Sequence, residues 1–296
     1  MTVARWHLVA ILCFGVFCVS TSAVFIRLAL ADANASGVGF SLVIAASRLA
    51  LASLILLPTW RQLQPQSRPP GTLIYSGIAG ALLALHFATW ITSLSYTSIA
   101  ASTVLVTTNP IWVALLSWLW FRERLSARVA IGIVITLVGG LLVGWEGSSA
   151  VGQNPLLGNS LALMGSWAFS LYFLLGREVQ RRGLTVGQHS AIAYTTAALL
   201  LLPLSLATGT AYRGYPISVY VWIMLMAIVP QLLGHTSLNW AVRHLSPTLV
   251  TLAILMEPVG ASLLGYLLFG EVPGMLVLVG AGVILTGVSL AALAAP

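Results

Sequence analysis

Ten apolar runs, most of about twenty residues, follow one another along the chain with only short connections between them. They span roughly Trp6–Leu30, Val38–Pro58, Thr72–Leu94, Ile99–Phe121, Val129–Trp145, Leu157–Leu175, Gln188–Leu206, Ile217–Trp240, Pro247–Phe269 and Met275–Ala294. About 20 such residues in a helix cross the hydrocarbon layer of a bilayer. Inside that layer each backbone polar group has to be satisfied within the protein, and a helix does so on its own. The pattern predicts an all-α integral membrane protein with ten transmembrane helices. Composition agrees: 6% of residues are charged, against about 25% in soluble domains, and the mean hydropathy is +0.99. The first run is long and holds Arg27, which predicts a retained helix and not a cleaved signal peptide. No connection has room for a soluble domain.

The charges give orientation. All 13 basic residues are arginine and the net charge is +7. They are scattered singly or in small groups between the apolar runs, so no continuous basic face exists for a nucleic acid. With the N-terminus in the cytoplasm, Arg5, Arg61, Arg68, Arg122, Arg124, Arg128, Arg177, Arg181, Arg182 and Arg243 fall inside. Only Arg213 falls clearly outside, and Arg27 and Arg48 lie within helices. Arginine excess on the inner loops sets topology. The expectation is a multi-pass protein of the inner (plasma) membrane with both termini cytoplasmic.

The chain repeats itself. Asn109-Pro110 and Glu257-Pro258 are 148 residues apart, as are Glu123 and Glu271, Gly132 and Gly280, and Gly139 and Gly287. Leu115-Leu116 matches Leu263-Leu264 at the same offset, and Ser20 and Arg27 match Ser170 and Arg177 at an offset of 150. A shared offset over this much chain predicts a tandem duplication, with residues 1–147 and 148–296 as its two halves. Five helices per half is an odd number, so the second half inserts upside down. Inverted repeats recur among secondary transporters.

These residues resemble the drug/metabolite transporter superfamily, and within it the EamA-like transporter family. The resemblance rests on Arg48, on Leu94-Ser95-Tyr96-Thr97-Ser98, on Asn109-Pro110, and on Glu123-Arg124-Leu125-Ser126 in the first half. In the second half it rests on Glu257-Pro258-Val259, Glu271 and the glycines Gly280, Gly282 and Gly287. It implies two inverted five-helix repeats and an exporter of small metabolites, with a central cavity lined by helices of both halves. The second half departs from the pattern, lacking an arginine matching Arg48 and the Leu-Ser-Tyr close.

Polar residues inside the apolar runs are the candidate site. Glu257 lies about ten residues into the ninth run, where a carboxylate costs several kcal/mol unless paired or protonated. It reads either as a substrate or coupling group or as a structural hydrogen-bond partner. Arg48, in the second run, keeps its proton and needs carbonyls, water or a carboxylate; the alternative to a functional role is an interhelical clamp. Gln231, His235 and Asn239 recur at every fourth position of the eighth run and predict a polar stripe facing a cavity or another helix. His86, Trp90 and Ser93 share a face of the third helix, with Trp90 either a stacking surface or part of the outer aromatic belt. Asn159, Ser166, Ser170 and Arg177 share a face of the sixth, with Trp167 beside them; serines there also simply permit close packing. Pro110, Pro230 and Pro258 are expected inside helices as kinks or hinges. Glu123 and Glu271 read as caps on the helices that follow them.

Several chemistries have no motif. There is no phosphate loop, no HExxH and no Cys/His metal cluster, and Gly234-His235-Thr236 lacks the context of a hydrolase. The sequence therefore predicts no catalytic residues, no metal and no cofactor. Cys13 and Cys18 read as small core residues. The function predicted is secondary active transport, most simply export of amino-acid-like or drug-like solutes by alternating access. Its partners are a small-molecule substrate and the lipid bilayer, with protons a candidate coupling ion, in a monomer or homodimer. The rival readings are an intramembrane lipid-modifying enzyme and a non-transporting receptor or scaffold.

Overall fold

The structure is a computed structural model and describes residues 5–63, 69–121, 126–146, 154–245 and 247–293. Arg68, Arg122, Glu123 and Arg124, used above for topology and capping, lie outside these residues. All regular structure among the described residues is helical. The order is α1 (Arg5–Ser20), α2 (Ser22–Asp32), α3 (Val38–Ile55), a 3-10 turn (Leu57–Gln62), α4 (Thr72–Ser93), α5 (Ile99–Val106), α6 (Asn109–Phe121) and α7 (Ala127–Glu146). Then come α8 (Pro155–Arg181), α9 (Val186–Ala207), α10 (Ile217–Met226), a π-helical segment (Ala227–His235), α11 (Thr236–His244), α12 (Pro247–Ile254), α13 (Glu257–Phe269) and α14 (Met275–Leu293).

Among the described residues, six helical stretches are long and apolar enough to cross a membrane: Trp6–Asp32, Val38–Ile55, Thr72–Ser93, Ile99–Leu116, Val186–Ala207 and Ile217–His244. The protein is a multi-pass membrane protein. Apolar side chains also cover its outside, among them Leu141, Leu156, Ile217 and Leu267, each more than three-fifths exposed. Water would not tolerate that surface; lipid does.

Several runs that read as single helices are broken. The first divides at Thr21, whose hydroxyl donates to the Cys18 carbonyl at 2.7 Å. The fourth breaks at Thr107–Thr108 and the ninth at Leu255–Met256. The prolines were expected to kink continuous helices, and here the structure corrects the sequence. Pro110 and Pro258 are each the second residue of a new helix. There the missing N–H is one that no intrahelical carbonyl would have bonded. Pro230 lies within the π segment, whose wider turn accommodates the bond that proline removes.

Packing follows the small residues. α4 lies along α8 and α9, α3 along α9, and α1 and α2 along the π segment, α10 and α11. α7 pairs with α14. A Cβ at Gly139 would lie 2.7 Å from the Gly280 carbonyl oxygen, and one at Gly287 would lie 2.6 Å from that of Gly132. Both contacts need glycine, and each becomes the other when 148 is added to one residue and taken from its partner.

Glu271 departs from expectation. It does not cap α14, which begins four residues later. One carboxylate oxygen instead accepts the N–H of Ile99, the first residue of α5, at 3.1 Å. The other meets Arg27 of α2 at 2.7 Å. Of the cysteines, Cys18 is buried and Cys13 is exposed.

Candidate functional site

Two helix starts meet in the middle of the molecule. α6 begins at Asn109 and α13 at Glu257, both buried, and both line one internal cavity. A helix N-terminus presents unbonded N–H groups and a partial positive charge. The polar side chains at the α6 start are bonded to the preceding turn and to α8 instead. Asn109 donates through Nδ2 to the Val106 carbonyl at 2.8 Å and to Ser166 Oγ at 2.9 Å. The Thr108 hydroxyl donates to Leu105 O at 2.7 Å, so Ser166 donates to Thr108 Oγ1 at 3.0 Å. Ser170, one turn on, donates to the Ser166 carbonyl at 2.8 Å. Ser166 therefore fastens α8 to the α5–α6 break behind the cavity wall, while the Ser170 bond at 2.8 Å stays within α8.

The opposite wall is aromatic. α4 brings His86 and Trp90, α8 brings Phe169, and the end of the π segment brings His235. His86 Nδ1 donates to the Gly165 carbonyl at 2.9 Å, which fixes its tautomer and turns Nε2 the other way. Its ring stacks on Trp90 at 5.7 Å between centroids and at 17°. Phe169 lies 5.0 Å from His86 and 5.6 Å from His235. Trp90 is 2% exposed and its indole Nε1 has no partner. That rules out the outer-belt position considered for it and leaves an orphaned donor in the wall. Among the lining residues are also Val19, Ser22, Val106, Thr107, Leu238 and Ile254. The space open to the centre of a water molecule is about 20 Å³, room for one or two waters.

Arg48 stands behind this wall. It is fully buried, donates through Nη1 to Ser22 Oγ at 3.0 Å, and lies 4.3 Å over the Phe87 ring. Its Nε and Nη2 have no partner. Among the described residues the ion pairs are Arg27–Glu271 and Arg182–Glu178, so Arg48 and Glu257 are not within ion-pair distance.

The polar stripe of the eighth run does not stay together. His235 lines the cavity; Gln231 and Asn239 are buried but do not. Asn239 is tied to α8, donating to Tyr172 Oη at 2.5 Å and receiving Gln180 Nε2 on its carbonyl at 3.1 Å. Both amide atoms of Gln231 lack partners. Trp167 is 42% exposed on the outer face of α8 and is no neighbour of the cavity. At 100° per residue it points well away from Ser166. Phe169, Ser22 and Thr107 escape sequence reading because a phenylalanine or hydroxyl in an apolar run signals only packing.

A family description fits this architecture twice. The model of the EamA-like transporter family matches residues 6–145 and again 156–293. The chain belongs to the EamA-like transporter family. Among its relatives, the uncharacterized transporter YdfC of Bacillus subtilis is 26% identical over 194 residues, 64% of this chain and 61% of YdfC. An uncharacterized transporter of Archaeoglobus fulgidus is 24% identical over 258 residues, 86% of this chain and 87% of its own. A probable terminal-alkyne amino-acid exporter of Streptantibioticus cattleyicolor is 25% identical over 64% of this chain and 62% of its own. The chain thus spans about three-fifths of YdfC and of the Streptantibioticus protein. A crystal structure sharing 17% identity covers 98% of both chains at a TM-score of 0.65, which shows the fold. The family and these relatives are described as transporters.

Proposed function

We propose that the chain is a ten-span secondary active transporter that exports small metabolites, amino-acid-like or drug-like, by alternating access. The observation that carries this reading is the cavity at the two helix breaks. It is lined by residues from both sides of position 148, with Asn109 and Glu257 at matching offsets and Trp90 Nε1 left without a partner in its wall. Broken helices whose ends meet at mid-membrane are how such transporters hold polar solutes.

Glu257 is the coupling or substrate-contacting carboxylate in this proposal. His86, Trp90 and His235 form the wall that meets the solute, Ser166 and Ser170 sit on α8 behind the opposite wall, and Arg48 sets the electrostatics of the site. Gln231 and Asn239 act through the π segment, and Pro110, Pro230 and Pro258 mark the breaks about which it moves. The repeats, 1–147 and 148–296, are inverted. The glycine contacts support this, since Gly139–Gly280 and Gly287–Gly132 exchange as a twofold axis requires. The double family match supports it too. The amino-acid-like substrate draws on the Streptantibioticus relative's name. Both termini are cytoplasmic, in an inner membrane.

The test is counterflow in proteoliposomes loaded with single amino acids or amphiphilic amines. Saturable exchange that E257Q abolishes supports the proposal. Lipid turnover without solute movement overturns it.

A further inference from the structure

A second cavity lies beside the first, lined from α5, from the break before α13, and from α13 and α14. Apart from Thr107 and Ser262 its lining is apolar, and the Thr107 hydroxyl already donates to the Thr103 carbonyl at 2.8 Å. Val104, Thr107 and Leu255 of that lining are buried, whereas Val259 and Leu278 are about half exposed and form its edge toward lipid. On the same measure as the central cavity, its volume is about 180 Å³. An apolar cavity of about 150 Å³ takes up one benzene molecule. The side pocket therefore holds one ring or a short branched alkyl group, not a whole acyl chain.

The two cavities share a wall, and the helix breaks make it. Thr107 lines both. Val106, Ile254 and Glu257 line the central cavity, and their chain neighbours Thr107, Leu255 and Pro258 line the side pocket. Thr107 lies in the α5–α6 break and Leu255 in the α12–α13 break, so the wall stands where helical hydrogen bonding is interrupted. The central space of about 20 Å³ admits a group the size of a water molecule, and an ammonium is such a group. Its lining offers one carboxylate, Glu257, and no arginine; Arg48 lies behind Ser22 and Phe87. A ligand carboxylate there would meet Glu257 with no cation in the wall to offset it.

We propose that the side pocket is a specificity pocket: it takes the apolar group of a substrate whose ammonium sits at Glu257, an amine with one ring-sized apolar group and no carboxylate. This rests on the transport reading of the central cavity and narrows its substrate to arylalkylamines. The ligand spans the shared wall between Thr107 and Pro258, with its charge on one side and its ring on the other. A mostly apolar site with one placed polar group is the usual composition of a small-molecule pocket.

Binding is read on the full chain in lipid nanodiscs, from the rise of its thermal midpoint with ligand concentration. The probes are ethylamine, phenylethylamine, naphthylethylamine and phenylalanine. Phenylethylamine is expected to bind about tenfold tighter than ethylamine, a gain of about 1.4 kcal/mol that burial of one ring supplies. Naphthylethylamine gains nothing more, and phenylalanine binds more weakly than phenylethylamine. Ala281, half-buried on α14, lines the pocket; A281F places a ring there and removes the advantage of phenylethylamine over ethylamine. L278A widens the exposed edge and lets naphthylethylamine overtake phenylethylamine; it decides the question if A281F does not fold. E257Q weakens all three amines by the same factor, because charge and ring are held by different residues.

A phenylethylamine advantage that A281F leaves intact, or a naphthylethylamine rank that L278A leaves unchanged, overturns the pocket. No advantage in the unsubstituted chain also overturns it and gives the space to bilayer lipid. Phenylalanine binding as tightly as phenylethylamine overturns the amine assignment. The expected ranks in a protein that shows no phenylethylamine counterflow sink the transport reading and keep the pocket. Phenylethylamine counterflow with a half-saturation that A281F leaves unaltered sinks the pocket alone.

Discussion

Glu257 is held at the first turn of α13 with no arginine among the described residues in ion-pair range. The positive end of a helix favours a carboxylate by about 0.3–1 kcal/mol, and up to ~2 when partly buried. Carrying a charge at that depth costs several kcal/mol. The helix end does not cover the cost, so the carboxylate has affinity left for a proton or a cationic group. Asn109, its mate, solves the same local problem without charge through Val106 and Ser166. E257Q keeps the shape and removes the charge. Normal folded yield is expected, with transport lost or no longer dependent on pH; normal yield with transport and pH profile unchanged removes Glu257 from the mechanism. Trp90 offers a second residue-scale test. Its buried Nε1 has no partner in the protein, so a ligand or water completes it. Trp90→Phe keeps the stack on His86 and deletes the donor. Loss of about 1 kcal/mol predicts roughly fivefold weaker half-saturation, read in the same counterflow assay. An unchanged value assigns that donor to water.

The π segment decides which polar residues reach the cavity. With π turns between Gln231 and His235, side chains four apart no longer share a face as they do in an α-helix. Cysteine replacement tests the register. In a background lacking Cys13 and Cys18, His235→Cys is expected to react with a small water-soluble thiol reagent, while Gln231→Cys and Asn239→Cys are protected. Equal labelling of all three returns the regular helix that sequence spacing implies. The example also shows what the sequence carries. The apolar runs are legible because a bilayer demands about twenty such residues, and the pairing of Asn109-Pro110 with Glu257-Pro258 because the offset is shared. A π turn leaves no such trace, since only backbone hydrogen bonding distinguishes it. The breaks were visible as prolines but read as kinks, because a proline at a helix start and one inside a helix look alike until the preceding residues are seen to unwind. The Arg27–Glu271 ion pair was half legible. Arg27 and Glu271 stood out as charges, but 244 residues of chain separate them.

At the scale of the molecule, the α7–α14 pair and the arginine distribution give two independent tests of the proposed inverted repeats. Gly139 and Gly287 touch backbone across the pair at under 3 Å from a would-be Cβ. A leucine at either overpacks the interface, at about 1–3 kcal/mol. G139L and G287L are expected to lower the thermal midpoint by similar amounts, because each site is the other's mate; a large loss at one and none at the other contradicts the symmetry. Topology is the wider test. Five crossings per half leave each half's ends on opposite faces, and ten return the C-terminus to the side of the N-terminus. The arginines require the same outcome, because Arg61, Arg128, Arg177 and Arg243 share a face only if every intervening connection alternates as ten spans dictate, with Arg213 left on the other. Reporters active on one side of the membrane only, fused after Leu63, Arg128, Arg213, Arg243 and Pro296, read this directly. Activity alike at Leu63, Arg128, Arg243 and Pro296, and opposite at Arg213, is the expected pattern. A fusion after Pro296 that matches Arg213 instead means an odd number of crossings, and the inverted halves do not survive it.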